Sequence, residues 1–255
     1  MLNLVIKPLN VGTISGDRSN LTYLRNFGIK QQQPAIMWYI EGAEKKILVD
    51  TGPCDPEWSQ KYHWPLTRTE EQEPDKALKA IGVDPKEIEL VVLSHLHWDH
   101  SFNNHLFVNA EFIVQKKELE YSIAPLPVHM KGYESVAIGM RPDYITHTKY
   151  TIIDGDKEIV PGVSLYLTPG HSPGSQCVAV ETLGGIYLIA ADTIPLYENW
   201  DSGPSYMPHI PNAIHVGLRE YFESFEKIEK IADFILPGHE EKVFNYSQYP
   251  SLKEK

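Results

Sequence analysis

Short apolar runs separated by turn residues recur along the whole chain, and they predict a protein rich in β-strands. The predicted strands of the first half are 2–11, 35–40, 46–49, 89–93 and 110–114, and those of the second half are 151–153, 163–167, 176–181, 185–190 and 234–236. The segment 42–45 has the composition of a tight turn, so the strands on either side of it are predicted to form a hairpin.

Two segments instead repeat their apolar residues with the period of an α-helix. Residues 74–81 are followed by Gly82, a common helix terminator, and residues 216–231 place apolar side chains on one face only. The segments 53–74 and 195–213 are rich in proline and aromatic residues and are predicted to be loops. Strands in both halves with helices between them favour two sheets covered by helices, although periodicity leaves the topology open.

Composition narrows the class of protein. The chain has 255 residues, which suits a single domain spanning 1–255, and its 42% hydrophobic and 22% charged residues are ordinary for a globular protein. The net charge of −11 disfavours binding to nucleic acid or to an anionic membrane surface. No apolar run approaches the length of a membrane span, and the N-terminal residues lack the pattern of a signal peptide. We therefore expect a cytoplasmic protein whose partner is a small molecule. The sequence does not indicate its oligomeric state.

The two cysteines are expected to be packing residues. Cys54 and Cys177 are too few to indicate a disulfide-built scaffold. Isolated cysteines in apolar surroundings behave as small hydrophobic side chains.

A dense group of metal-binding side chains follows the strand predicted at 89–93. Residues 94–100 read Ser-His-Leu-His-Trp-Asp-His, which places three imidazoles and one carboxylate within six positions. These nitrogen and oxygen donors suit a borderline divalent metal such as zinc. In an extended backbone His95 and His97 point the same way, whereas Asp99 and His100 lie beyond the turn. One loop could therefore serve two adjacent metal sites.

Further potential ligands follow other predicted strands. His171 lies in Pro-Gly-His-Ser-Pro-Gly, Asp192 follows the strand at 185–190, and His239 lies in Pro-Gly-His-Glu. Loops at strand ends can bring such side chains together on a rigid scaffold. Each segment alone is typical of an ordinary turn, but together with residues 94–100 they predict one metal centre.

As a set, these motifs resemble the metallo-β-lactamase superfamily from Leu48 to His239. The resemblance rests on Val-Asp-Thr-Gly at 49–52, on the His-x-His-x-Asp-His block, on the turn around His171 and on the final Pro-Gly-His. It implies a fold of the α+β class, an αββα sandwich of two mixed sheets flanked by helices, with a dinuclear metal site.

The same resemblance implies a role for each motif residue. The ligands of metal one would be His95, His97 and His171, those of metal two would be Asp99, His100 and His239, and Asp192 would bridge both metals. Asp50 would orient a ligand histidine by accepting its other N–H group.

Three features favour one branch of the family. His97 stands where the oxygen-reducing di-iron branch has glutamate, and Asp192 supplies a bridging carboxylate that true β-lactamases lack. The nuclease branches use a further domain and a basic surface. Of the activities found in the family, hydrolysis of small esters, thioesters, lactones or amides is then the one left. The length and layout of the chain most resemble the N-acyl homoserine lactonase group.

One position departs from that group. Pro195 stands where those lactonases usually carry a tyrosine beside the substrate carbonyl. The resemblance therefore implies hydrolysis of a small lactone, with acyl-homoserine lactones as poor or secondary substrates. Tyr197 and His215 are the predicted substrate-binding residues, and His209 is a further candidate. The aromatic residues of 53–74 either line the pocket or pack their loop onto the body.

The mechanism implied by the resemblance uses a hydroxide held between two divalent metal ions as the nucleophile. Zinc is the expected metal, with iron, manganese or cobalt as alternatives, and Asp99 would carry a proton to the leaving group. Two other functions stay open: a thioesterase or cyclic-amide hydrolase with the same metals, and a mono-iron oxidoreductase of the persulfide-oxidising type. The remaining loop histidines are expected to be solvated or capped; they are His63, His105, His129 and His147.

Overall fold

Two mixed β-sheets lie face to face in the computed structural model, which describes residues 3–146 and 149–251. The strands are β1 (Val5–Asp17), β2 (Lys30–Glu41), β3 (Ile47–Val49), β4 (Leu66–Thr67), β5 (Leu90–Val92), β6 (Glu111–Gln115), β7 (Tyr150–Ile153), β8 (Lys157–Val160), β9 (Val163–Leu167), β10 (Gln176–Thr182), β11 (Gly185–Ala191) and β12 (Phe234–Pro237). The α-helices are α1 (Pro56–Tyr62), α2 (Pro74–Ala80), α3 (Lys116–Ile123), α4 (Asp143–Thr146), α5 (Tyr197–Asp201) and α6 (Leu218–Ile228). His147 lies outside the described residues.

Both sheets combine parallel and antiparallel pairs. The larger sheet has the order β4-β1-β2-β3-β5-β6-β7, antiparallel as far as β3 and parallel from β3 to β7. The smaller sheet has the order β12-β11-β10-β9-β8, with β11 and β12 parallel and the other pairs antiparallel. The parallel pairs matter for function because the carboxyl ends of neighbouring parallel strands meet at one edge of a sheet.

The layering follows from the two-residue period of the strands. In β2, Trp38 and Ile40 face the apolar core between the sheets, whereas Met37 and Tyr39 face a second core that includes residues of α2. In the smaller sheet, alternate residues of β10 and β11 face a third core formed with α6. The predicted αββα arrangement of two mixed sheets flanked by helices is confirmed.

The strand predictions are confirmed in both halves, but two predicted loops contain regular structure. Segment 53–74 was expected to be a loop, yet it holds α1 and β4. The side chain of Asp55 accepts a hydrogen bond from the Trp58 N–H at 2.8 Å, and Pro56 occupies the first helical turn, so this helix has a standard start. Likewise, α5 lies within the predicted loop 195–213. Both helices are too short for their periodicity to be visible in the sequence.

The cysteines are buried and free, as expected of packing residues. Burial raises the pKa of the Cys177 thiol to about 11, so this thiol stays protonated at neutral pH. Among the described residues, no helix has both the length and the apolar character needed to cross a membrane.

Candidate metal centre

The predicted ligands meet at one edge of the sandwich because each follows a strand that ends there. Residues 94–100 follow β5, Asp192 follows β11, and His239 follows β12. His171 lies in the turn between β9 and β10. The structure therefore brings all seven together in two adjoining groups, His95, His97, His171 and Asp192 in the first and Asp99, His100 and His239 in the second.

Three imidazoles converge in the first group. The Nε2 atom of His171 lies 3.2 Å from Nε2 of His95 and 3.0 Å from Nδ1 of His97. Burial, followed by the charge of neighbouring histidines, lowers the pKa of His95 and His97 well below the usual value. These rings are therefore neutral at pH 7 and present lone pairs to a common point, as ligands of a cation do.

Asp192 lies between the two groups. One carboxylate oxygen, Oδ2, is 3.4 Å from Nε2 of His171, and the other, Oδ1, is 2.9 Å from Nε2 of His239 and 3.2 Å from Nε2 of His100. Burial opposes ionisation of Asp192, but the three histidines outweigh it and lower the pKa of Asp192 well below its usual value. Asp192 is therefore an ionised carboxylate that faces both groups.

Carboxylates surround the histidines of the second group. Asp99 Oδ2 lies 3.8 Å from Nε2 of His100 and 3.7 Å from Nε2 of His239. Burial alone would lower the pKa of His100, but the carboxylates of Asp99, Asp50 and Asp192 raise it well above the usual value. Such a concentration of carboxylates is the environment that a divalent cation neutralises.

Two buried atoms support the same conclusion. Among the described residues, His100 Nε2 and Asp192 Oδ1 lack a hydrogen-bond partner of good geometry, although they face each other. A buried polar atom without a partner is costly unless something binds it. The donor set, the neutral rings and these atoms all fit two divalent metal ions.

The ring nitrogens that face away from the centre are held by other groups. Nδ1 of His100 lies 2.7 Å from Asp50 Oδ2, and Nδ1 of His95 lies 3.0 Å from Ser94 Oγ. The Nδ1 atoms of His171 and His239 lie 2.7 and 2.9 Å from backbone carbonyl oxygens. Asp50 thus contacts His100, a candidate ligand histidine. Contacts of this kind fix the rotation and the tautomer of ligand histidines.

Glu118, on α3, connects the two loops that carry the three histidines of the first group. It is fully buried, and its Oε1 accepts hydrogen bonds from the Leu96 N–H at 3.0 Å and from the Tyr133 hydroxyl at 2.7 Å. Its Oε2 accepts from the Ser172 hydroxyl at 2.6 Å and from the Gly174 N–H at 3.1 Å. A Cβ atom at Gly174 would lie 2.2 Å from the Glu118 backbone nitrogen, so only glycine allows this close approach. No sequence motif marked Glu118, because its partners lie on separate loops.

We expect Glu118→Gln to lower both the melting temperature and the affinity for metal. An amide has one acceptor oxygen, so two of the four donors would face an NH₂ group instead. Loss of such a support typically lowers metal affinity by about 10- to 100-fold. Competition with a chelator, followed by the absorption spectrum of the cobalt-loaded protein, measures this effect. The control is Glu120→Gln on the same helix, where the side chain is exposed; equal metal affinity in both variants would contradict the role of Glu118.

A cavity of about 280 Å³ opens onto the two groups. Its wall contains candidate ligands together with aromatic, apolar and polar side chains. The lining residues outside the ligand set are Leu21, Gln33, Tyr62, His63, Trp64, Trp98, Val128, His129, Lys131, Gly132 and Ile214. The aromatic residues Tyr62 and Trp64 of the segment 53–74 thus line the pocket. A small, mostly apolar molecule fits such a wall.

The predicted substrate-binding residues lie elsewhere. Tyr197 begins α5 and borders a separate surface hollow with Tyr187 and Trp200. His215 lies against the Tyr23 ring, with its Nδ1 atom 3.0 Å from the Asn212 carbonyl oxygen. Neither is among the described residues that line the cavity.

The loop after Asp192 is anchored in a way that explains this placement. Asn199 on α5 donates hydrogen bonds to the carbonyl oxygens of Leu21 and Ile210. His209 stacks on the Trp200 ring at 3.9 Å and lies against Phe225. These contacts hold the loop against α6 and against the segment between β1 and β2, so its aromatic side chains pack the loop onto the body.

Two of the loop histidines are not simply solvated. The side chains of His63 and Glu134 are each only 2% exposed, and they contact each other. His129 is buried and its Nδ1 atom lies 2.7 Å from the Tyr121 hydroxyl. The expectation of solvated or capped histidines is therefore wrong for His63 and His129, which are buried among other side chains. His105 remains largely exposed beside Asp143.

Comparison with known proteins agrees with this geometry. The family model of the metallo-beta-lactamase superfamily matches residues 34–239. The N-acyl homoserine lactonase of Bacillus thuringiensis is 31% identical over 217 residues, which cover 81% of this chain and 81% of the relative. The N-acyl homoserine lactonase of Azorhizobium caulinodans is 31% identical over 216 residues, covering 79% of this chain and 80% of the relative.

Solved structures of lactone hydrolases are similar to this chain as well. An N-acyl homoserine lactone hydrolase with N-hexanoyl-L-homoserine bound at its catalytic metal centre superposes with a TM-score of 0.78 at 26% identity, covering 96% of both chains. A variant of the B. thuringiensis lactonase AiiA with N-decanoyl-L-homoserine bound gives a TM-score of 0.77 at 27% identity, again over 96% of both chains. The chain is lactonase-like and has the character of a metal-dependent hydrolase. With a family model that covers four-fifths of its length, it belongs to the metallo-beta-lactamase superfamily.

Proposed function

We propose that this protein hydrolyses a small lactone with the help of two divalent metal ions. The observation that carries the proposal is the pair of largely buried ligand groups at the floor of a small cavity whose wall includes Tyr62, Trp64 and Trp98. The curated relatives named as N-acyl homoserine lactonases support hydrolysis of a lactone ring.

In this proposal the seven residues act as metal ligands. His95, His97 and His171 hold the first ion, Asp99, His100 and His239 hold the second, and Asp192 contacts both. Zinc suits a set of imidazole and carboxylate donors, and iron, manganese and cobalt are the alternatives. Asp50 keeps His100 in the tautomer that binds metal through Nε2.

In this proposal, residues of the chain transfer a proton and orient the substrate. When bound, the metal ions would activate water as the nucleophile and polarise the substrate carbonyl. Asp99 is the most accessible acid of the centre, with an 11% exposed side chain that lines the cavity. We assign it the transfer of a proton to the leaving alkoxide of the opened ring. Tyr62, Trp64 and Leu21 form an apolar wall that orients the ring.

The complete second group favours this proposal over the mono-iron alternative. A mono-iron oxidoreductase needs one metal site, whereas Asp99, His100 and His239 form a second group of potential ligands beside the first. A thioesterase or cyclic-amide hydrolase would use the same centre, so substrate comparison separates it from a lactonase.

We expect purified, metal-loaded protein to hydrolyse unsubstituted or lightly substituted γ- and δ-lactones faster than matched thioesters and lactams. Acyl-homoserine lactones should be poorer substrates, because buried Pro195 cannot donate a hydrogen bond to the carbonyl. One such bond at a developing oxyanion is worth about 3 kcal/mol, or roughly a hundredfold in rate. A pH-stat assay of the three substrate classes measures the order. A kcat/KM above about 10⁵ M⁻¹s⁻¹ for acyl-homoserine lactones would contradict the inference from Pro195, and preference for a thioester or lactam would contradict the proposed function.

A further inference from the structure

A buried glutamine in the cavity wall has a side-chain amide without a hydrogen-bond partner. Gln33 is only 2% exposed, and it lines the cavity of about 280 Å³. Within residues 3–146 and 149–251, neither Oε1 nor Nε2 of Gln33 makes a hydrogen bond, and neither is among the wholly enclosed side-chain atoms that lack a partner. The small exposed part of Gln33 therefore includes its amide, and the open space that the amide reaches is the cavity. An unpaired amide in so buried a position is costly unless something binds it.

The pattern of the strand makes a polar residue at this position unexpected. The odd-numbered residues of β2 that follow it, Ala35, Met37 and Tyr39, belong to the apolar core that includes residues of α2. Gln33 continues this row, and Ile14, its antiparallel partner on β1, belongs to the same core. The two-residue period therefore favours an apolar side chain at this position. An amide here instead fits a position that binds a polar group from outside the protein.

Gln33 lies beside the second ligand group. The carbonyl oxygen of the next residue, Pro34, is 2.9 Å from Nδ1 of His239, and both His239 and Asp99 line the cavity. The proposed function assigns to Asp99 the transfer of a proton to the leaving alkoxide. The ring oxygen of the substrate, and the carbon that bears it, therefore lie at the second group, where β2 also brings Gln33.

We propose that the amide of Gln33 binds a hydroxyl group that the substrate carries near its ring oxygen. The inference rests on the proposed function, and it narrows the substrate class to lactones with a hydroxylated substituent on the carbon that bears the ring oxygen. A hydroxyl group donates to Oε1 and accepts from Nε2–H, so it can satisfy both ends of the amide. A carboxylate only accepts and an ammonium group only donates, so either would leave one end unpaired.

This class excludes the acyl-homoserine lactones. Their polar substituent is an amide on the carbon next to the carbonyl, at the opposite end of the ester bond from the carbon that bears the ring oxygen. A substrate without a hydroxyl group near the ring oxygen would leave the amide of Gln33 unpaired, and this selects against it.

The test compares two lactones of equal shape, γ-hydroxymethyl-γ-butyrolactone and γ-ethyl-γ-butyrolactone. Only the first carries a hydroxyl group. Each enzymatic rate is divided by the rate of alkaline hydrolysis of the same compound, which removes the difference in intrinsic reactivity. On this scale the wild-type enzyme should prefer the first by roughly tenfold in kcat/KM, the factor expected for one well-placed hydrogen bond. Gln33→Leu keeps a side chain of similar size without the amide, so the preference should fall to less than about twofold.

The matched control is Gln32→Leu, the same substitution at the neighbouring residue of β2. Gln32 is exposed, points to the opposite face of the strand and is not among the described residues that line the cavity. This variant should keep the full preference, and both variants should keep the wild-type metal content.

The melting temperature is a second readout, because a structural role and a binding role of Gln33 predict opposite changes. If the amide waits for a substrate, Gln33→Leu should melt at the wild-type temperature or above it, since no hydrogen bond within the protein is lost. A lower melting temperature would show that the amide supports the fold, and it would overturn the inference.

The substrate ratios decide the remaining outcomes. Equal turnover of the two lactones by the wild-type enzyme overturns the role of Gln33 but leaves the proposed function standing. A preference that survives in Gln33→Leu, or one that Gln32→Leu loses equally, overturns that role as well. Failure of the metal-loaded wild-type enzyme to hydrolyse either compound or any other lactone overturns the proposed function, and the inference with it.

Discussion

Replacing Asp192 by asparagine is expected to remove at least one metal ion per chain and to abolish most of the activity. Asp192 is a carboxylate that faces both ligand groups, with Oδ2 toward His171 and Oδ1 toward His100 and His239. Asparagine keeps the size of the side chain but removes its charge and one of its two acceptor oxygens. Since metal ions supply several kcal/mol of transition-state stabilisation, kcat/KM should fall by at least roughly a thousandfold.

The measurement is elemental analysis and lactone hydrolysis on the same preparation. The control is Asp201→Asn, at the exposed end of α5, which should retain the wild-type metal content and rate. Circular dichroism should show that Asp192→Asn keeps its secondary structure, because the three apolar cores do not depend on this residue. An Asp192→Asn protein with both metals and wild-type turnover would show that Asp192 is not a bridging ligand.

Replacing Asp99 by asparagine should have the second largest effect, and this effect should depend on the leaving group. General acid catalysis by a side chain contributes about 10²- to 10⁴-fold, so kcat for an aliphatic lactone should fall by that factor. Dihydrocoumarin releases a phenoxide, which needs far less help from a proton donor. The factor by which its hydrolysis slows should therefore be less than a tenth of the factor for γ-butyrolactone.

The comparison separates the two roles given to Asp99. If Asp99 acts only as a ligand of the second metal, both substrates lose the same factor, because both need the metal. Metal content is measured in parallel, since Asp99 lies 3.7 and 3.8 Å from the Nε2 atoms of His239 and His100. Equal losses for the two lactones would contradict proton transfer by Asp99.

The sequence predicts the framework, and it marks the candidate ligands that the fold brings together, for physical reasons. Strands buried on both faces leave a local apolar signal, as in β5, where Leu90 and Val92 face one core and Val91 faces another. The candidate ligands are marked by their chemistry, because three imidazoles and a carboxylate in six positions have few structural uses. Four strand ends then bring distant segments to one edge of the sandwich.

The residues that line the cavity cannot be predicted from the sequence, because they depend on how the loops pack. Tyr197 and His209 follow the candidate ligand Asp192 in the sequence. In the fold, however, the hydrogen bonds of Asn199 hold this segment outside the cavity wall. The segment 53–74 is distant in sequence from the ligands, yet α1 and β4 fold it over them and place His63 in the wall. Neither the hydrogen bonds of Asn199 nor the packing of segment 53–74 over the ligands can be predicted from local sequence. Glu118 was missed for the same reason.

The central proposal is that this chain hydrolyses a lactone when its seven candidate ligands hold two divalent metal ions. Its most direct test is a titration of metal-free protein with zinc, in which bound metal and the rate of γ-butyrolactone hydrolysis are measured at each step. We predict that activity is low below one ion per chain and reaches its plateau at two. Full activity with one tightly bound ion per chain, or lactone hydrolysis by the metal-free protein, would contradict the claim.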